Sequence, residues 1–210
     1  MEKNGKVSSF KFVGLHLDKL LSWEVHHAHV IKKVASGTGI LARLKRIVPQ
    51  RIRLLIYNAL IKPHLKFMIE IWGGSTNSHL STFTKIQKKC IRHVCNIGFR
   101  AHTEPLFKKL KLLKFEDMCS LADLQIAHKA FYATLPPPIL NIFPTRGDLS
   151  RNLDFQLANA RSNINERFPT HRFPRKWNTL SLELRTLSSY KSFRKALKYD
   201  ILSNYAKSVH

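Results

Sequence analysis

Residues 51–73 read RIRLLIYNALIKPHLKFMIEIWG, and the fold turns on how this stretch is read. At 3.6 residues per turn, Ile52, Leu55, Ile56, Ala59 and Leu60 line one side. Leu54, Tyr57, Ile61, Leu65, Met68 and Trp72 line a second side roughly opposite. A helix apolar on two faces has to be packed on two faces. The spacing therefore predicts the central helix of a bundle, kinked at Pro63, where a backbone donor is missing, and stopped by Gly73 and Gly74.

The flanking segments carry the single apolar stripes such a helix needs. Upstream, Ser22 is the expected cap and Glu24 sits in the first turn, and Trp23, His27, Val30, Val34, Gly37, Leu41, Leu44 and Val48 then form a heptad seam. Gly37 and Gly39 each weaken a helix by about 1 kcal/mol relative to Ala, so they predict close helix approach or a short break. His26, His27 and His29 are either packed or capping imidazoles or a metal cluster, although neighbouring helical residues point apart.

Downstream, Leu80, Phe83, Gln87, Cys90, Ile91 and Val94 define the core side of another helix. Lys85, Lys88, Lys89 and Arg92 fall at i, i+3, i+4 and i+7 on a different side, with no carboxylate among them. Such a row is either a solvated face or a surface that tracks a phosphate backbone. Thr103 opens a short helix with Leu106, Phe107 and Leu110 on one side, and Met118, Leu121, Leu124, Gln125, His128, Phe131, Tyr132 and Leu135 form a further stripe ended by Pro136. Glu116 and Asp117 are ordinary first-turn carboxylates.

The ends read differently. Residues 10–18, FKFVGLHLD, predict one strand with Gly14 as a bulge or a close-approach glycine, paired either with residues 1–9 or with sequence outside this chain. From Asn141 to His171 periodicity fails and a loop-rich tether is expected, with Leu153, Phe155 and Leu157 at most a short strand. Trp177, with Phe173 and Leu180, is either an anchor for that tether or a base-stacking side chain. The last helix turns Tyr190, Phe193, Leu197 and Ile201 inward and repeats the basic spacing in Lys191, Arg194, Lys195 and Lys198.

Composition narrows the partners. Among 210 residues, 44% are apolar, enough for a core, and Lys+Arg 36 against Asp+Glu 13 gives a net charge of +23. That excess attracts polyanions. Nucleic acid is favoured over a membrane, because no apolar run approaches the ~18 residues that a span requires. Cys90, Cys95 and Cys119 are an odd, sparse set and the first residues lack a secretory signal, which points to an intracellular protein with free thiols. Cys90 and Cys95 are buried small residues or half of a zinc site whose second pair is missing. Phosphoryl transfer needs carboxylates holding metal ions close together. None are spaced for it, and no P-loop or zinc-protease motif occurs.

The motifs together carry a resemblance. Phe12-Val13-Gly14, Asp18, Leu21-Ser22-Trp23, His26-His27, Tyr57, Pro63, Trp72, Gln87-Lys88-Lys89-Cys90-Ile91-Arg92 and His102-Thr103-Glu104-Pro105-Leu106-Phe107 resemble the region just after the polymerase core of reverse transcriptases from jockey-like non-LTR retrotransposons. Phe67 departs from the family, standing where an aromatic hydroxyl is common, and Leu180-Ser181 stands where Leu-Pro is usual. The resemblance implies a mostly α, thumb-like helical bundle. In that scheme residues 1–18 are a remnant of the palm and primer-grip strand, 19–135 the bundle, 136–188 the tether and 189–210 a basic helix.

It also implies a non-catalytic fragment of an RNA-directed DNA polymerase. The fragment would grip RNA, DNA or hybrid backbones without reading sequence and would be partnered by a palm that this chain lacks. Phe12, Gly14 and Trp23 would lie at the primer-grip junction, and magnesium would belong to the parent polymerase, with no cofactor or metal in this segment. Nuclear location is part of the same implication. A stand-alone basic nucleic-acid-binding protein and a decayed, inactive element fragment are the alternatives.

Overall fold

The computed structural model describes residues 9–144, 153–157 and 166–205. The stretches 1–8, 145–152 and 158–165, and the last five residues of the basic helix expected at 189–210, lie outside them. The fold is mostly helical, with a short two-stranded sheet near the N-terminus. Its residues divide into two units, 1–67 with 75–103, and 68–74 with 104–210.

In the first unit, β1 (Ser9–Phe12) and β2 (Leu15–Asp18) pair antiparallel, Phe12 opposite Leu15 and Ser9 opposite Asp18. The single strand expected at 10–18 is thus a hairpin. Of the two readings of Gly14, close approach holds and the bulge does not: a Cβ there would lie 3.0 Å from the Phe67 ring, and Gly14 is the second residue of a two-residue turn in which Val13 (φ 46°) and Gly14 (φ 87°) are both left-handed, the geometry whose twist suits a tight hairpin. The connection to the next helix is held by the Asp18 carboxylate, which accepts amide hydrogen bonds from Leu20 (3.1 Å), Ser22 (2.9 Å) and Trp23 (2.8 Å). Burial pushes the Asp18 carboxyl up, but the amides of Ser22, Trp23 and Leu20 outweigh it and hold it below its ordinary value. Ser22 accepts the Glu24 N–H on its hydroxyl at 3.4 Å, yet it is not the N-cap residue. Trp23, left-handed at φ 67°, precedes α1 (Glu24–Leu44) instead.

The α1 seam appears as expected: His27, Val30, Val34, Gly37 and Leu41 are buried. At Gly37 α1 meets residues 57–61 closely: a Cβ there would lie 2.7 Å from Ile61 Cγ1. Gly39 faces open space, and the helix runs through both glycines.

The organising stretch is not one helix. It forms α2 (Gln50–Ile56), a π-helical turn (Tyr57–Ile61), α3 (Lys62–Lys66) and α4 (Ile69–Trp72). Pro63 has no N–H to give and its ring would crowd the carbonyl of residue 59 in an α-helix. The chain answers with one extra residue in the turn, so that Lys62 N–H donates to the Tyr57 carbonyl five residues back. The helix then breaks before the glycines, with Phe67 extended (ψ 112°) and Met68 left-handed (φ 49°). The cost of that backbone, about 1–2 kcal/mol, is offset in the second unit by burial of Ile69 and Trp72, whose indole stacks on Phe115 at 5.8 Å.

Burial on two faces is also corrected. Tyr57, Ile61 and Leu65 are buried, while Ile52, Leu55 and Leu60 are 40%, 56% and 42% exposed. In the second unit α7 (Phe115–Phe131) is packed on more than one side, with Asp123, Ala127 and Ala130 buried beside the predicted stripe of Met118, Leu124, His128 and Phe131. Small residues at 127 and 130 let neighbours close on faces that apolar periodicity alone passes over.

Around α7 lie α6 (Glu104–Lys109), α8 (Pro137–Leu140), α9 (Pro169–Asn178), α10 (Leu182–Arg185) and α11 (Tyr190–Asn204). The expected tether is therefore helical at 169–178 and 182–185. Trp177 is fully buried with Phe131, Phe155, Phe173 and Phe193 in one cluster, its Nε1–H bonded to the Leu153 carbonyl at 2.8 Å. An indole so enclosed anchors the segment and is closed to base stacking.

Candidate nucleic-acid interface

The helix α5 (Asn77–Cys95) separates its faces cleanly. Phe83, Gln87, Cys90, Ile91 and Val94 are fully buried. Lys85 and Lys89 are exposed and Lys88 is half-buried, and none of the three pairs with a carboxylate among the described residues. Arg92 is held differently. Its Nε donates to the Ala101 carbonyl at 3.0 Å and its guanidinium lies 5.9 Å over the Phe99 ring.

What fixes α5 is a cation that its own periodicity does not reveal. Arg53 of α2 is 7% exposed, and it donates to the Val94 carbonyl at 2.8 Å, the Lys45 carbonyl at 2.7 Å and the Val48 carbonyl. It thereby clamps the carbonyl ends of α1 and α5, where a positive charge is favoured. A second clamp is the Gln87 Nε2 hydrogen bond to Tyr57 Oη, 3.0 Å. The end of α1 also brings charge to the row: the His93 pKa is lowered by burial and then by the charges of Lys45 and Lys89. Lys45 thus lies within electrostatic reach of His93 on α5, a neighbour that sequence spacing had no means to show.

In the second unit, α11 presents the other row. Lys191, Arg194, Lys195 and Lys198 are all exposed, while Phe193 and Leu197 are buried. The helix is pinned at its end by Tyr205, whose hydroxyl donates to the Asp117 carboxylate and accepts the Lys114 N–H at 2.9 Å. Lys176, by contrast, is spent internally on Asp123 at 2.7 Å.

At the hairpin, Phe12 is 60% exposed, and Gly14 lies under the Phe67 ring, which a Cβ would approach to 3.0 Å. Trp23 is half-buried and sets its ring edge-on to His26 at 6.4 Å. The histidines of α1 are packed imidazoles: His26 Nδ1 receives the His16 N–H at 3.5 Å, and His27 meets Ser75 Oγ at 3.1 Å and the Phe83 ring at 5.3 Å. Cys90 Sγ lies 3.0 Å from Thr38 Oγ1, and the three cysteines are free thiols. Among the described residues no His, Cys, Asp and Glu side chains group as metal ligands, and no helix is long and apolar enough to cross a membrane.

No family model and no solved structure matches the chain. Among curated proteins it is similar to the probable RNA-directed DNA polymerase from transposon X-element of Drosophila melanogaster, 26% identical over 106 residues, covering 49% of this chain and 12% of that protein. It is also similar to the RNA-directed DNA polymerase from mobile element jockey of Drosophila melanogaster, 24% identical over 115 residues, covering 52% of this chain and 12% of that protein. The chain thus spans only about an eighth of the length of either relative, and the likeness supports a relation to the reverse transcriptases of non-LTR retrotransposons.

Proposed function

We propose that this chain is a thumb-like, non-catalytic segment of a retrotransposon RNA-directed DNA polymerase that grips the backbone of a template–primer without reading its sequence. The observation that carries this reading is the α5 row. Lys85, Lys88 and Lys89 lie on a helix whose other face is locked in the core, and no carboxylate among the described residues neutralises them. Ammonium groups on a rigid helix engage phosphates and displace counterions without contacting base edges. Lys191, Arg194, Lys195 and Lys198 on α11 offer a second row of the same kind.

Phe12, Val13 and Leu20, 60%, 63% and 84% exposed, together with Gly14 and Trp23, form the side that a polymerase palm covers in this reading. The chemistry then belongs to that palm and its magnesium, and this segment supplies grip in the nucleus.

Filter binding of a template–primer duplex across a salt series tests the reading. With about five phosphates engaged, log affinity falls against log salt with a slope of roughly −4. A slope near zero, or a strong preference among duplexes of equal length, would falsify it.

A further inference from the structure

We propose that Phe99, at the tip of the turn after α5, is a stacking platform for an unpaired nucleobase of single-stranded nucleic acid. This rests on the backbone-gripping reading above and adds the ligand that this site takes.

The turn is built before any ligand arrives. Asn96 leaves α5 left-handed at φ 53°, and the Ile97 N–H returns to the Arg92 carbonyl at 3.1 Å. The Ala101 N–H then bonds to the Gly98 carbonyl at 3.2 Å, which makes Phe99 and Arg100 the two central residues of a closed turn. Arg92 ties both sides together, holding the Ala101 carbonyl at 3.0 Å while its guanidinium sits 5.9 Å over the Phe99 ring.

Phe99 is 79% exposed, so with Arg92 on one face of the ring the other is open to solvent. Single exposed apolar side chains are common on protein surfaces. This one differs in its surroundings: the ring is oriented by a cation and flanked by exposed Arg100 and His102, and it follows directly on the helix that carries Lys85, Lys88 and Lys89. Aromatic faces beside a cationic track are what unpaired bases require, since every base has a face to stack and every linkage a phosphate to hold. A paired base inside a duplex offers no such face. The site therefore favours a single-stranded segment.

The test uses the full chain and labelled oligonucleotides in fluorescence anisotropy: a single strand, the same strand with abasic sugars, and a blunt duplex. Phe99→Ala is expected to weaken binding to the intact single strand roughly tenfold. Binding to the abasic strand and the duplex should stay within about twofold of the parent, and the salt slope should not change, because stacking releases no counterions. Phe99→Trp should keep the parent affinity and show quenching of the added indole by the intact strand only. Equal affinities of the parent and Phe99→Ala for the intact strand, or equal losses on all three ligands, overturn the platform and leave the backbone grip standing. A parent chain that binds none of the three overturns both.

Discussion

Asp123 and Arg172 form a two-pronged ion pair inside the second unit, Arg172 Nε to Asp123 Oδ2 at 3.0 Å and Arg172 Nη2 to Asp123 Oδ1 at 2.9 Å. The carboxylate side chain is wholly inaccessible to solvent, and Lys176 also reaches it. Arg172 also donates to the Arg167 and Glu70 carbonyls at 2.8 and 2.6 Å. A buried pair of this kind is costly to break from one side, because the survivor keeps its charge without its partner. Asp123→Ala is expected to destabilise the chain by about 3–5 kcal/mol, and the double replacement Asp123→Leu with Arg172→Leu by distinctly less. Urea unfolding of the three proteins checks the order, and a double variant weaker than Asp123→Ala would refute the account.

The same guanidinium explains Gly74. A Cβ at that position would overlap Arg172 Nη1 and lie 2.8 Å from the Arg167 carbonyl. Gly74→Ala should therefore displace Arg172 and cost about 1–3 kcal/mol. Gly39→Ala, which meets nothing within 4 Å, should stabilise α1 by a few tenths to about 1 kcal/mol. Thermal melts of the two variants should move in opposite directions.

Removal of one α5 lysine is expected to act on salt dependence. Lys89→Ala should weaken binding of all sequences alike and make the salt slope about one unit shallower. Arg92→Ala should do more than remove a charge, since it also releases the Ala101 carbonyl and the Phe99 ring. Its single-strand affinity should fall further than that of Lys89→Ala, measured on the same oligonucleotides.

Where side chains repeat with helical spacing and face a core, the sequence was sufficient. The α1 seam from His27 to Leu41 and the split of α5 into Phe83, Gln87, Cys90, Ile91 and Val94 inside and Lys85 and Lys89 outside are direct consequences of spacing. Spacing does not say how many faces of a helix find partners. The 51–73 stretch has two apolar stripes and buries one, while α7, with alanines and an aspartate between its large residues, is enclosed further round. The polar clamps were hidden for a different reason. Arg53 and Asp123 look like surface charges until carbonyls at 45, 48 and 94, or a guanidinium 49 residues on, are brought against them. The tether misled because Pro169 has the look of a loop breaker, yet it occupies a first-turn position where a missing N–H costs nothing.

The thiols report on the same packing. Burial pushes Cys90 up to about 11 and Cys119 up to about 12, so neither forms an appreciable thiolate at neutral pH. Under native conditions a thiolate-directed reagent should modify Cys95, which is half-buried, and leave the other two intact. In denaturant all three should react at comparable rates. Mass spectrometry of peptides after timed labelling distinguishes this from a pattern in which Cys90 reacts first, which would place it outside the core.

Acid should loosen the hairpin against α1 as the pH falls from about 6.5 toward 4. His26 is 1% exposed, and its pKa is lowered to about 4 by burial and then by the neighbouring charges of His16 and His29. The ring is therefore neutral in the folded chain at pH 6, where an unfolded chain, with an ordinary pKa near 6.5, already binds the proton. Between about pH 6.5 and 4 the unfolded state holds more protons, so stability must fall as the pH falls. Asp18, held below its ordinary value, contributes stability that is lost only at still lower pH. His29, His93 and His128 are lowered as well and act in the same direction as His26. His26→Asn keeps an acceptor for the His16 N–H but cannot take up a proton in this range. Its melting temperature should fall less than that of the parent between pH 6.5 and 4.5, with a residual slope from the other three rings. A variant as acid-sensitive as the parent would show that His26 is not the ring that resists protonation.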